Sequence, residues 1–214
     1  MASMMRVERV RRNFADEANR YDAKRDRLIR CARDLAERGN AAKVSVTDVT
    51  SAMGITRGLF YYYFGCKEEL NESIIDSYVE DLMASIDAGF ESSDDREASI
   101  RAIVESVYSW LYEEDGSKRL MWHVVDETGL QDYLNIKTSN GLASFIVDHG
   151  LLAKYGKGDD ESLREHARFV SFGIIGELRL QPDVPTSMVS DTACAALRYR
   201  KRRSSQGAQL AEDE

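Results

Sequence analysis

Apolar residues recur at three- and four-residue spacing along most of the 214-residue chain, the period of helices that bury one face. From about Ala23 to Arg38 the stripe is Leu28, Ile29, Ala32, Leu35 and Ala36, with Gly39 placed to stop it. Ahead of it, Val7, Val10 and Phe14 keep the same spacing within an arm bearing Arg6, Arg9, Arg11, Arg12 and Arg20. Two short helices around a tight turn follow. Ser45, with Asp48 three residues on, predicts a variant capping box, and Val46, Val49, Thr50 and Met53 share one face. Gly54 then supplies the left-handed residue that ends the helix, Ile55 is the apolar residue of the turn, and Thr56 is the next cap. The second helix, about Arg57 to Tyr63, packs Phe60 and Phe64 inward and leaves Arg57, Gly58, Leu59, Tyr61 and Tyr62 outward.

Beyond Lys67 the pattern predicts a long helix to about Phe90, with a wide apolar face running from Leu70 to Phe90. The polar run Ser92-Ser93-Asp94-Asp95 breaks the chain and caps a helix over about Arg96 to Glu114, and the sequence Asp115-Gly116-Ser117 breaks it again. A shorter helix carries Leu120, Met121, Val124 and Val125, and another covers about Gln131 to Leu152. The stretch from Tyr155 to Asp160 reads as a flexible loop. The helix from about Glu161 to Leu180 is apolar nearly all round over two turns, which predicts full burial with one side covered by a second subunit. After the turn Pro182 to Pro185, Thr186 or Ser187 caps the final helix, and the residues from Arg198 onward have no apolar pattern. The fold class is therefore all-α. A basic arm spans residues 1–20, a three-helix helix-turn-helix head 21–67, a helical bundle 68–200 and a disordered tail 201–214.

Composition adds polarity to this picture. The net charge of −8 divides at Lys67 into +6 before it (14 Lys and Arg against 8 Asp and Glu) and −14 after it (15 against 29). A basic head on an acidic body suits a nucleic-acid reader joined to another module, because phosphate attraction is local and screened within about 10 Å. Only 2 prolines occur, so long helices run uninterrupted outside the turn that holds them both. No apolar run approaches a membrane span, and no signal-peptide core stands at the N-terminus, so a cytoplasmic location is expected. Cys31, Cys66 and Cys194 have no metal-like spacing and read as free thiols, with Cys66 beside Lys67 a weak redox-sensor candidate.

The run Gly54-Ile55-Thr56-Arg57-Gly58-Leu59-Phe60-Tyr61-Tyr62-Tyr63-Phe64, with Lys67 and Leu70 after it, resembles the DNA-binding segment of the tetracycline-repressor (TetR/AcrR-type) family of transcriptional regulators. The resemblance implies a recognition helix that enters a major groove. At its start Thr56 can donate to a phosphate, and Arg57 reaches a guanine edge or a phosphate. Gly58 lets the backbone approach closely. Leu59 departs from the family's small polar residue and points to a thymine methyl. Tyr61, Tyr62 and Lys67 are candidate phosphate contacts, Tyr63 stands in place of the family's histidine, and Ser45 and Thr47 on the preceding helix complete the candidate set. The arm either lies in a minor groove or is a solubilising tail.

The same resemblance implies an effector pocket in the body. Tyr78, Met83, Tyr108, Trp110, Met121, Trp122, Tyr133 and Phe145 are its candidate walls, with Glu105, Asp126 and Glu127 as polar anchors; residues of these types are more often plain core than ligand contacts. It further implies that the last two helices form a four-helix bundle with a second copy, through Phe169, Phe172, Gly173, Gly176, Met188, Val189, Thr192 and Ala196. The chain lacks a P-loop, a dinucleotide glycine motif and a Gly-x-Ser-x-Gly elbow. His123 and Asp126, with His149 or His166, give only a weak metal or dyad reading, so neither cofactor nor enzymatic activity is expected. The expected protein is a homodimeric repressor of a palindromic DNA operator, released by a small-molecule effector. The alternatives are a helical small-molecule-handling enzyme or metal protein, and an architectural DNA-binding protein without an effector.

Overall fold

The computed structural model describes residues 21–38, 44–90, 95–152 and 160–198. The N-terminal arm, the Gly39 stop, Ser92 to Asp94, the loop from Tyr155 to Asp159 and the tail after Arg198 lie outside the described residues. The described chain is helical: α1 (21–38), α2 (Val46–Met53), α3 (Arg57–Tyr63), α4 (Lys67–Gly89), α5 (Arg96–Leu111), α6 (Met121–Thr128), α7 (Gln131–Asp148), α8 (Asp160–Leu180) and α9 (Thr186–Arg198). No strand occurs among these residues; Tyr112 and Lys118 form an isolated antiparallel bridge. No described helix is long and apolar enough to cross a membrane.

Contacts divide the chain into two units. The first takes the described residues up to Tyr78 together with Leu120–Gln131, so it includes the first half of α4 and all of α6 beyond the span 21–67 expected of the head. Its core is Leu28, Ile29 and Ala32 of α1, Val49 of α2, Phe60 and Phe64, Leu70, Ile74 and Ile75 of α4, and Val124 and Val125 of α6. Val124 and Thr128 line the same crevice as Ala32, Val49, Leu70 and Ile74, which shows how α6 joins the head. On the flank of this core Arg33 Nε donates to Glu37 Oε1 at 3.0 Å, and the Tyr78 hydroxyl donates to the same oxygen at 2.7 Å. The Arg33 guanidinium lies 4.0 Å from the Tyr78 ring centroid, within cation–π range.

The second unit comprises Val79–Arg119 and the described residues from Asp132 onward. Within it α5, α8 and α9 pack against one another, and α4 meets α7 where Gly141 lies under Met83. A Cβ on Gly141 would fall 2.9 Å from Met83 Sδ, so glycine permits this close approach.

Three helix ends differ from the sequence expectation for identifiable reasons. α5 stops at Leu111 rather than Glu114 because Arg119 takes its last carbonyls: its amide donates to Leu111 O at 3.2 Å and its Nε to Ser109 O at 2.6 Å. α7 stops at Asp148 rather than Leu152 because Gly150, at φ 65°, turns left-handed and lets Leu151 N return to Ile146 O at 3.0 Å. α9 begins at Thr186, and Pro185 O accepts from Met188 N at 2.9 Å, so neither Thr186 nor Ser187 stands at the cap. At the end of α8, Pro182 lacks the amide that would bond Leu178 O, and the Tyr112 hydroxyl donates to that carbonyl at 3.0 Å instead.

Candidate nucleic-acid interface

α2 and α3 are held by local chemistry at each end. The Ser45 hydroxyl accepts from Asp48 N at 3.2 Å and donates to Asp48 Oδ2 at 2.7 Å, while Ser45 N donates to Asp48 Oδ2 at 2.8 Å. These bonds, the Ser45 side chain first, hold the Asp48 carboxyl below the usual carboxylate range, and the Lys67 ammonium adds to the effect. Gly54, at φ 62°, closes α2 through Gly54 N to Ser51 O at 3.2 Å and Ile55 N to Thr50 O at 2.9 Å, the paired bonds of a Schellman turn. Thr56 Oγ1 accepts from Leu59 N at 3.2 Å and caps α3. That bond uses the oxygen as acceptor and leaves the hydroxyl proton available to an anion at the helix start.

The faces of α3 then follow from its period. Phe60 and Phe64 are fully buried, with ring centroids 5.4 Å apart, and fix the helix to the core of the first unit. On the opposite side Leu59 (37% exposed), Tyr61 (52%) and Tyr62 (66%) face outward with Arg57 and Gly58. A Cβ on Gly58 would meet nothing nearer than Thr56 Oγ1 at 3.9 Å, so packing within the chain does not require a glycine there. The bare backbone of the first turn is open to a partner from outside. Arg57 Nη2 donates to Thr47 Oγ1, joining the first residue of α3 to the exposed face of α2.

α4 begins beside this face. Gly65 N donates to Glu69 Oε2 at 2.7 Å, and the Glu68 carboxyl is held below its usual range by its own backbone amide and the Cys66 thiol. Lys67, half-buried, opens the helix. The three cysteines carry no disulfide, and Cys66 is exposed.

Several sequence-predicted residues take other positions. Tyr63 is not on the outward face: it is 7% exposed, its ring centroid lies 4.8 Å from that of Tyr21, and burial pushes its phenol pKa up. The Ser45 hydroxyl is engaged in the α2 cap as both donor and acceptor. Tyr21 is a residue that sequence reasoning misses, because it carries no periodicity signal at the start of α1. Its ring also meets Tyr62 edge-on at 5.5 Å, so it supports one of the exposed tyrosines.

The candidate effector residues do not gather in one unit. Tyr78, Met121, Trp122 and Asp126 belong to the first, and Met83, Glu105, Tyr108, Trp110, Tyr133 and Phe145 to the second. Tyr78 is buried, its hydroxyl held by Glu37 and its pKa raised by burial and by that bond, so it serves the head and not an open pocket. Met121 and Trp122 are likewise buried in the first unit, whereas Glu105 and Asp126 are exposed on their helices rather than lining an interior. In the second unit Tyr108 lies against Tyr112 at 5.2 Å, and Phe145 is stacked on His149 at 3.9 Å with Phe90 edge-on at 5.2 Å.

Within a single copy α8 buries one face and leaves the other open. Val170, Ile174, Ile175 and Leu178 are buried, while Phe169 (77% exposed), Phe172 and Gly173 face outward. Met188 (62% exposed) and Thr192 of α9 face outward as well, and the half-buried Gly176 and Ala196 flank them. Between α8 and α9 runs a groove of about 350 Å³ lined by Phe169, Gly173, Met188 and Ala196, with the buried Val189 beneath it. No group of three or more His, Cys, Asp or Glu side chains suited to a metal ion occurs among the described residues.

Residues 28–74 match the family model of bacterial regulatory proteins of the tetR family. The HTH-type transcriptional repressor KstR2 of Rhodococcus jostii is 32% identical over 95 residues, covering 44% of this chain and 46% of that protein. The HTH-type transcriptional regulator EthR of Mycolicibacterium smegmatis is 30% identical over 109 residues, covering 50% of this chain and 49% of that protein. The chain thus spans about half the length of the curated relatives it matches. Among solved structures, RolR without ligand aligns at a TM-score of 0.61 and 18% identity, over 81% of this chain and 90% of that one. RolR in complex with resorcinol aligns at 0.54 and 17% identity, over 88% and 100%. At such identities the likeness is one of fold.

Proposed function

Since the chain belongs, through its residues 28–74, to the tetR family of bacterial regulatory proteins, we propose that it is a ligand-responsive transcriptional repressor that binds a palindromic DNA operator as a homodimer. The observation that carries this function is the outward face of α3. Arg57, Leu59, Tyr61 and Tyr62 stand around the bare Gly58 backbone on a helix anchored from behind by Phe60 and Phe64. A helix so exposed and so anchored fits a major groove, with Tyr61, Tyr62 and Lys67 toward phosphates and the α3 start toward base edges. The basic balance of the first 67 residues, +6, supplies the local attraction that the chain's net −8 obscures.

Dimerisation through α8 and α9 brings two such helices to successive major grooves, about 34 Å apart. The exposed Phe169, Phe172 and Met188 and the groove beside them support that face as the one a second copy covers. The effector is a small molecule taken up in the second unit among Met83, Tyr108, Trp110, Tyr133 and Phe145, and its differential affinity for the DNA-free state releases the operator. RolR, whose complex with resorcinol has been solved, supports a small-molecule effector for this fold. Acting on DNA, the protein works in the cytoplasm.

The deciding measurement is selection of duplexes from a random-sequence library by the full-length chain, followed by titration of the selected site at several salt concentrations. A palindromic consensus with half-sites one helical turn apart, and an affinity that falls steeply with salt, is expected. Tyr61→Ala combined with Lys67→Ala weakens binding to that site; unchanged affinity in this double variant would remove α3 and the start of α4 from the interface.

A further inference from the structure

We infer that Thr47 is a positioning residue for operator discrimination: its hydroxyl on α2 orients the Arg57 guanidinium of α3 toward a guanine edge. The inference rests on the operator-binding function proposed above and deepens it. Arg57 is the first residue of α3, at the end of the helix that leads into a groove, and its side chain is exposed. An exposed arginine samples many rotamers, and ordering it on a base costs much of that freedom. Here one of its five N–H donors is already engaged, because Arg57 Nη2 donates to Thr47 Oγ1 ten residues earlier on a different helix. Both ends of the tether are fixed. α2 is held by the Ser45–Asp48 capping box and the Gly54 closure, and α3 by the Thr56 cap and the buried Phe60 and Phe64.

The remaining donors of the guanidinium are enough for a paired contact to guanine O6 and N7, the geometry in which an arginine distinguishes base pairs rather than merely meeting a phosphate. Thr47 suits the task for a second reason. A hydroxyl accepts from the arginine without neutralising it, whereas a carboxylate at this position would hold the guanidinium in an ion pair and repel phosphates. Two exposed residues on separate helices are thus coupled into one reading element.

The test uses the full-length protein and the duplex its wild type selects from a random-sequence library, with Thr47→Val, Thr47→Ser, Arg57→Ala and the Thr47→Val/Arg57→Ala double variant. Valine matches threonine in shape and helix propensity, and Thr47 is exposed, so the substitution leaves the fold intact. Arg57→Ala is expected to relax preference at one G·C pair per half-site by roughly 10-fold or more. Thr47→Val is expected to relax the same pair by about 3- to 10-fold, leaving the other positions and the salt slope as in wild type. Thr47→Ser restores the wild-type preference, and in the Arg57→Ala background Thr47→Val has no further effect. The positioning role is overturned if the Thr47→Val loss persists in that background, if it spreads evenly over all positions, or if either single variant retains the wild-type preference at every position. Failure of the wild type to select any sequence is a different result, which would overturn the operator function itself and the inference with it.

Discussion

Gly54 and Gly58 lie four residues apart and respond oppositely to the same substitution. Gly54 holds φ 62° with open space where a methyl would stand, so Gly54→Ala introduces backbone strain without a clash and costs about 1–2 kcal/mol of stability. Gly58 is helical and has no close neighbour, so Gly58→Ala stabilises the helix by up to about 0.5–1 kcal/mol while placing a methyl on the face proposed to meet DNA. Chemical denaturation should therefore rank the variants in opposite order around wild type, and a titration of the selected duplex should show weakened binding by the more stable Gly58→Ala protein. Stronger binding by that variant would mean that the first turn of α3 does not face DNA. At Asp48 the prediction concerns pH. Its carboxyl is held below the usual range near pH 4, so its contribution to stability is complete above that range and is lost as pH falls through the lower folded value. A carboxyl titration followed by NMR should place Asp48 below the unperturbed acidic residues. The melting temperature of wild type should converge on that of Asp48→Asn only in acid; equal spacing of the two at all pH values would remove the linkage.

Among the elements, the end of α8 shows how a local defect acquires a remote partner. Pro182 leaves Leu178 O without its intrahelical amide, and the buried Tyr112 hydroxyl, 66 residues earlier, takes its place. Tyr112→Phe keeps the ring and removes the bond, leaving a buried carbonyl unsatisfied at a cost of about 1–3 kcal/mol. Equilibrium unfolding in urea would read that loss; a change under about 0.5 kcal/mol would show that water replaces the hydroxyl. The same tyrosine follows directly on α5, whose last carbonyls are closed by Arg119, so one short turn anchors two helices. In the head, Arg33, Glu37 and Tyr78 play the corresponding part for α1 and α4.

For the whole molecule, the decisive surface is the outward face of α8 and α9. Phe169 is exposed far beyond what a large apolar side chain in a stable monomer requires, and it borders the groove lined by Gly173 and Met188. Phe169→Asp introduces a charge that a dimer must bury on both copies at once, because a two-fold interface repeats every residue. Sedimentation should show a dimer for wild type and a shift toward monomer for the variant, with the variant's affinity for the full palindrome falling toward that for a single half-site. A dimer unaffected by Phe169→Asp would place the interface elsewhere.

Short-range residue order accounts for the helical character of the described chain, the capping box at Ser45 and Asp48, the Gly54 closure, and the separation of Phe60 and Phe64 from Leu59, Tyr61 and Tyr62. All of these depend on residues three to five positions apart, which helical geometry alone brings together. Tertiary structure decided what the neighbours of each face are. Tyr63 turns inward because Tyr21 lies beside it, and Tyr78 is closed off because Glu37 takes its hydroxyl. α5 ends early because Arg119 folds back on it, and α8 keeps an exposed apolar face because, among the described residues, it is Val170, Ile174 and their row that are buried. Arg57 is tethered because Thr47 stands ten residues away on another helix. Each of these turns on a partner distant in sequence, and a periodic pattern records that a face is apolar or polar without recording which side chain it will meet.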